Sequence, residues 1–135
     1  MSARLEHANI NVRSIDETIR FLTTAFPEFK VRGRGVQDGV QWLHIGTDES
    51  YLALNEIGAA SPRVEIGGHG PLNHLGVVVD DAEAVADRLR QAGFQEGFLA
   101  PQHPYRKRIY FEDSDGLEWE FVEYLTDDPA KRNEY

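Results

Sequence analysis

Two histidines and one glutamate carry the chemistry that stands out in this sequence. His7 lies in Leu5-Glu6-His7-Ala8-Asn9-Ile10-Asn11-Val12 and His74 in Leu72-Asn73-His74-Leu75-Gly76-Val77-Val78-Val79-Asp80. Glu120 lies in Glu118-Trp119-Glu120-Phe121-Val122-Glu123-Tyr124. All three stretches alternate as half-buried strands do. Side chains in a strand point to opposite faces in turn. Ala8, Ile10 and Val12, then Leu75, Val77 and Val79, then Trp119 and Phe121 are the sets a helix would cover. His7, His74 and Glu120 fall on the other face each time. Two imidazoles and a carboxylate converging there make a 2-His-1-carboxylate metal set, with coordination positions left for water or substrate.

A lone strand histidine is more often a hydrogen-bonded filler than a ligand. What lifts these two out of that reading is an internal repeat. Sliding the chain on itself by 67 residues places His7 on His74, Ile10 on Val77, Leu22 on Leu89 and Glu56 on Glu123. The offset runs without an insertion for about fifty residues, so a duplicated half-domain is expected rather than a solenoid. On this register Glu120 meets Ala53, and Glu56 shares the parity of Leu52 and Leu54, the helix side. Three protein ligands follow rather than four, unless a bulge near the strand end reverses the parity. By the same reasoning His44 is expected on the helix side beside Trp42, and His69 and His103 in loops.

The elements that must position these residues repeat as well. Strand 4–12 is followed by a helix opened by Ser14 and Glu17, striped by Ile15, Ile19, Leu22 and Phe26, and closed by Pro27. A short strand at 29–34, a turn at Gly33-x-Gly35 and Gly39, and strands at 40–46 and 51–56 complete the first unit. The second has a strand at 72–80, a helix at 82–92 capped by Asp81 and ended by Gly93, and strands near 95–99, 107–113 and 117–124. The fold class is α+β: two tandem βαβββ modules forming a curved sheet cavity. One domain, 1–135, holds module 1 (about 4–56), a Gly/Pro-rich linker (57–71), module 2 (about 72–124) and a tail (125–135). Asp128-Pro129 is expected to open one short helix in that tail.

Composition narrows the functions. There is no cysteine, hence no disulfide, no thiolate nucleophile and no Cys-type zinc or iron–sulfur site. Lys and Arg number 14 against 23 Asp and Glu, a net charge of −9. The excess sits in the second half, where residues 68–135 hold 7 basic and 14 acidic groups. Such a surface repels phosphate backbones and anionic lipid, so neither nucleic acid nor membrane is an expected partner. No apolar run is long enough to span a bilayer, and the chain opens directly on a patterned segment rather than a leader core. A cytoplasmic location is expected.

The quoted segments, with Tyr110-Phe111-Glu112-Asp113-Ser114-Asp115-Gly116-Leu117 leading into the Glu120 strand, resemble the vicinal oxygen chelate superfamily. That group includes glyoxalase I, fosfomycin-resistance thiol transferases, bleomycin-resistance proteins and extradiol dioxygenases. The resemblance covers residues 4–125, with Ser114 in place of the proline usual before the hairpin glycine. It implies a divalent metal (Zn, Mn, Ni or Fe) on His7, His74 and Glu120, the set that parity had chosen. Glyoxalase I-like members add a second glutamate where this chain has Ala53, so a standard glyoxalase I is not implied. Fosfomycin thiol transferases and dioxygenases share the three-ligand set, yet His103-Pro104-Tyr105-Arg106-Lys107 does not resemble the fosfomycin enzymes' cation loop. The resemblance also implies a homodimer, in which His7 of one subunit would meet His74 and Glu120 of the other. An intrachain pairing is equally open.

Around the metal, Asn9, Gln41, Arg108 and Tyr124 are expected to contact a small-molecule substrate. Tyr51 and Tyr110 share the ligands' face and carry phenols able to donate protons; aromatic filling of a cavity is the other reading of both. Arg106-Lys107-Arg108 is the one basic run in an acidic chain, suited to drawing in an anion or to a solvated surface. Three functions remain open: a metal-dependent lyase, isomerase or thiol transferase acting on a small oxygenated molecule, anions among the candidates; a metal-free sequestering protein of the bleomycin-resistance type; and a ferrous extradiol-type dioxygenase.

Overall fold

The computed structural model describes residues 3–60 and 72–135. Contacts divide the chain into two compact units, Met1–Pro62 and Arg63–Tyr135. In the first, β1 (His7–Val12) leads into α1 (Ile15–Ala25), followed by β2 (Lys30–Gln37), β3 (Val40–Gly46) and β4 (Tyr51–Glu56). The sheet order is β1-β4-β3-β2, with β1 parallel to β4 and the remaining pairs antiparallel. α1 forms where its sequence asks for it. The Ser14 hydroxyl accepts from Glu17 N–H, and the helix lays Ile15, Thr18, Phe21, Leu22 and Ala25 onto the sheet. Val12, Leu43, Ile45 and Leu54 meet that stripe as the unit's buried core.

The second unit repeats the plan with β5 (His74–Val78), α2 (Ala82–Gln91), β6 (Arg106–Glu112) and β7 (Glu118–Tyr124), in the sheet order β5-β7-β6. Asp81 caps α2 through Ala84 N–H, and Val85, Ala86 and Leu89 bury against Phe111, Trp119 and Phe121. A final short helix, α3 (Pro129–Arg132), is capped by Asp128, as its Asp-Pro start anticipates. Of the linker expected over 57–71, a 3₁₀ turn occupies Gly58–Ala60, and residues 61–71 lie outside the described residues. Among the described residues no helix is long and apolar enough to cross a membrane.

The duplication extends to individual bonds. His7 pairs with Tyr51 across β1 and β4, and His74 with Glu118 across β5 and β7, each partner 67 residues on. Glu56 accepts a hydrogen bond from the first helical N–H of α1, Ile15, at 2.7 Å; Glu123 does the same for Ala82 of α2 at 2.9 Å. Both carboxylates satisfy amides that a helix start leaves orphaned, at the end of the helix where negative charge is favoured.

Three expectations need correction. The repeat is not gapless in space: β3 reaches β4 through four residues, Thr47 to Ser50, whereas β6 reaches β7 through five, Asp113 to Leu117. His44 therefore lies opposite Ala53, while Tyr110 lies opposite Glu120, an offset of 66 rather than 67 for this strand. Gly33 and Gly35 are not a turn but lie inside β2, paired with His44 and Trp42. The turn is Asp38-Gly39, both at positive φ (51° and 79°), the two-residue geometry that matches strand twist. Finally, no strand forms at 95–99. Glu96 makes one isolated bridge to Phe111, flanked by Glu112 N–H to Gln95 C=O and Gly97 N–H to Tyr110 C=O. The chain then departs where Phe98 turns its ring edge onto Tyr110, at 5.4 Å.

Candidate functional site

In the second unit the face away from α2 carries His74 on β5, Glu118, Glu120, Val122 and Tyr124 on β7, and Arg108, Tyr110 and Glu112 on β6. His74 Nε2 stands 3.0 Å from Glu120 Oε2, and Asn73 Oδ1 takes the other ring nitrogen, Nδ1, at 2.7 Å. Each nitrogen thus faces an acceptor, while a neutral imidazole has a single N–H. A proton or a metal ion on the Nε2 side resolves the mismatch. Donors 3.0 Å apart also suit neighbouring ligands of one cation with bonds of about 2.0–2.2 Å. Glu120 is 14% exposed and His74 34%, so the pair is reachable from solvent.

Tyr110 completes this group. It is buried, its ring meets the His74 ring edge-on at 5.6 Å, and it lies directly across from Glu120 on β7. Burial pushes the phenol up to about 12, and the charge of Glu120 and its hydrogen bond add to the effect. At neutral pH Tyr110 therefore keeps its proton, facing Glu120 across β6 and β7. Arg108 gives one guanidinium N–H to Pro101 C=O at 3.2 Å, while its buried Nε has no partner among the described residues. Tyr124 is covered by the tail: the Arg132 guanidinium lies over its ring at 4.7 Å.

In the first unit the face away from α1 is read in crosswise rows. His7 pairs with Tyr51; Asn9 with Ala53 and then His44; Asn11 with Asn55 and then Trp42. The His7 and Tyr51 rings stack at 4.8 Å, Tyr51 and His44 at 4.8 Å, and His44 meets Trp42 at 5.0 Å. The Arg32 guanidinium lies over the Tyr51 ring at 4.1 Å. His7 repeats the arrangement at His74: the preceding residue, here Glu6, takes Nδ1 at 2.9 Å. Such a contact fixes the tautomer that offers Nε2 to a metal.

The matching family model spans residues 4–121 and describes the Glyoxalase/Bleomycin resistance protein/Dioxygenase superfamily. The chain belongs to this superfamily. A comparison with curated proteins gives no match. Among solved structures, a glyoxylase/bleomycin resistance protein/dioxygenase domain from Frankia sp. EAN1pec is 21% identical, with a TM-score of 0.76 over 92% of this chain and 99% of that one. The genomically encoded fosfomycin resistance protein FosX of Listeria monocytogenes is 16% identical, with a TM-score of 0.74 over 98% and 99%. The trypanothione-dependent glyoxalase I of Leishmania major is 19% identical, with a TM-score of 0.70 over 90% and 87%. At these identities the likeness establishes the shared α+β superfamily fold.

Within this superfamily member, the residues expected at the site fall into three groups. His74, Glu120 and Tyr110 are brought together, with Arg108 on the same face. His7, Tyr51 and Asn9 share the face of the first unit. Gln41 does not join them: it precedes Trp42 on β3 and lies exposed on the opposite face. The same one-residue correction brings in His44 and Trp42, which parity had sent to the helix side. Ala53 was the available signal, since its neighbour across β3 had to be large enough to cover a methyl group. Glu56, the alternative fourth ligand, is engaged at the α1 N-terminus. His103 binds the tail through Glu134 C=O, and His69 lies outside the described residues. Among the described residues, no three His, Asp or Glu side chains are gathered as a metal-holding group.

Proposed function

We propose that this superfamily member is a metal-dependent enzyme of the lyase, isomerase or thiol-transferase kind, with His7, His74 and Glu120 as ligands of a divalent cation. The observation that carries the reading is the His74 Nε2–Glu120 Oε2 approach at 3.0 Å, with Nδ1 of each histidine taken by the residue before it. When bound, a metal with this ligand set supplies a Lewis acid for vicinal substrate oxygens and stabilises charge as it develops. The chain's own residues do the rest. Tyr110 keeps its proton and stands across from Glu120, and the Arg108 Nε–H is a donor suited to an anionic substrate oxygen. Ala53 supplies no carboxylate at the place where glyoxalase I-like relatives carry a second one. The working form in this reading is a cytoplasmic homodimer acting on a small oxygenated molecule.

Metal content decides it. Protein prepared without added metal or chelator is expected to hold about one divalent ion per chain, and His74→Ala to lose it. Zinc, manganese or nickel then directs substrate screening to Lewis-acid chemistry, and iron to oxygen uptake with catechol-like substrates. Absence of metal in both proteins, with no uptake on titration with Zn, Mn, Ni or Fe, overturns the reading. A second reading, a metal-free binding protein, draws support from the Trp42-walled cavity of the first unit and from Ala53.

A further inference from the structure

We propose that residues 125–135 form a latch over one end of the second unit's open face, closed while His103 is neutral and released when that ring takes up a proton. The inference goes beyond the metal reading and does not depend on it. What the latch covers is Tyr124, the last residue of β7, on the face of Glu120 and expected from the sequence to contact substrate. The Arg132 guanidinium lies over its ring at 4.7 Å.

The tail is held by bonds rather than by packing. No residue of α3 is buried, and a helix of four residues has no stability of its own in water. Arg132 Nε–H donates to Thr126 C=O at 2.9 Å, which makes 126–132 one body. Leu125 N–H donates to Tyr105 C=O at 2.9 Å and ties that body to the second unit at its base. At the far end, Arg106 gives a guanidinium N–H to Arg132 C=O and His103 reaches Glu134 C=O, both at 3.0 Å. Segments with so few buried contacts are the ones that open first.

His103 is the member of this set that can change. Glu134 C=O only accepts, so Nε2 carries the proton; Tyr105 N–H only donates, at 3.1 Å, so Nδ1 carries none. Both nitrogens are in use, and the ring is the neutral Nε2–H form. A second proton goes to Nδ1, where it meets the Tyr105 N–H donor to donor. The two nitrogens sit on one rigid ring, so turning Nδ1 away from Tyr105 withdraws Nε2 from Glu134.

The surrounding charges favour the same outcome. The facing cations are Arg106, its bridge partner at the start of β6, and Lys131 and Arg132 of the tail, with Lys131 over the Tyr105 ring at 5.6 Å. The Tyr105 phenol ring itself meets His103 edge-on at 5.9 Å. Against these cations stand the Glu134 carboxylate and Asp127, the latter already 3.8 Å from Arg132. Histidine is the side chain whose charge ordinarily changes between about pH 5 and 8, so the latch responds in that interval.

The test is nuclear magnetic resonance of the full chain at about pH 7.5 and about pH 5, with His103→Gln and His103→Ala alongside. Glutamine keeps a neutral donor for Glu134 C=O and does not titrate. At the higher pH the ring nitrogens of His103 should report the Nε2–H form, and the Tyr124 ring protons should show contacts to the Arg132 side chain. The Arg132, Asn133 and Glu134 amides should then have order parameters of about 0.85, falling below about 0.6 at the lower pH as the Tyr124–Arg132 contacts vanish. His103→Gln should stay ordered at both pH values, and His103→Ala should be mobile at both. A wild-type tail equally ordered at the two pH values overturns the inference. So does an Nδ1–H tautomer at the higher pH, a pH response that survives in His103→Gln, or a tail as ordered in His103→Ala as in wild type. If His103→Ala does not fold, the wild-type comparison and His103→Gln still decide it.

Discussion

His44 and Tyr110 stand at the same place in their units, each opposite the third residue of the last sheet strand. His44 faces Ala53 and Tyr110 faces Glu120. In the second unit the pair sets a phenol across from a carboxylate that meets His74. In the first, the methyl group of Ala53 gives its neighbour nothing to bond. The imidazole instead joins a run of rings from His7 through Tyr51 to Trp42. One unit carries an acid–base cluster on this face, and the other an aromatic wall.

The contacts to the two histidine Nδ1 atoms lead to a first prediction. Asn73 and Glu6 touch no substrate in the proposed reading, yet they select the tautomer that presents Nε2. Asn73→Leu and Glu6→Leu should each retain the metal stoichiometry while weakening affinity by roughly tenfold to a hundredfold. Zinc titration calorimetry on metal-stripped protein reads this directly. Unchanged affinity in both variants would show that the imidazoles are oriented by something else.

Glu56 and Glu123 give a second. Each accepts the first N–H of the helix in its own unit, so removing either carboxylate leaves that amide without its partner. Glu56→Ala and Glu123→Ala should each cost about 1–2 kcal/mol of stability in urea denaturation. Neither should change metal content. Loss of metal from Glu56→Ala with stability intact would make Glu56 a ligand and refute the capping role.

How far the sequence reveals this molecule can be judged from the same residues. The alternation of Ala8, Ile10 and Val12 against His7, Asn9 and Asn11 is a local property, and it places β1 and its face correctly. So do the Ser14 and Asp81 caps for the two helices. Strand β3 is different, because Val40-Gln41-Trp42-Leu43-His44-Ile45 has apolar residues at both parities. Its facing is set by the length of the hairpin that follows, and one residue reverses every side chain. The same holds for Gly33 and Gly35. As isolated glycines they suggest a turn, and only the indole lying on them explains why a strand needs them. The segment 95–99 fails as a strand because its pairing ends after a single bridge.

Gly46 supplies a third prediction, on stability alone. It ends β3 opposite Tyr51, and a Cβ there would stand 2.3 Å from Ser50 C=O and 2.6 Å from Tyr51 Cα. Both are backbone atoms, so no side-chain rotation relieves the clash. Gly46→Ala should destabilise the protein by about 3 kcal/mol or fail to give soluble material. A change under about 0.5 kcal/mol in thermal or urea denaturation would mean that the hairpin yields more readily than its packing suggests.

The final prediction concerns Asp113, buried in the β6–β7 hairpin. Its Oδ1 accepts from the N–H groups of Asp115 and Leu117 at 2.9 and 3.0 Å, and its Oδ2 from the Trp119 indole N–H at 3.0 Å. Asp113→Asn keeps the first two bonds but sets an amide N–H against the indole N–H, at a cost of about 1–3 kcal/mol. Burial nevertheless raises the Asp113 carboxyl above the usual range against the pull of the three donors, and the nearby charge of Asp115 adds to the rise. Glu112, raised by burial and by Glu118, pushes the same way. A raised folded pKa means that the folded chain binds more protons than the unfolded one in the window above about pH 4. The associated stability is complete below that point and is lost as pH rises through the folded value. The asparagine variant cannot titrate there, so its deficit relative to wild type should be larger near pH 4 than at pH 7. Urea denaturation of both proteins across that range is the check. A deficit that grows toward neutral pH would mean that the three hydrogen bonds outweigh burial and that Asp113 is stabilised as its carboxylate.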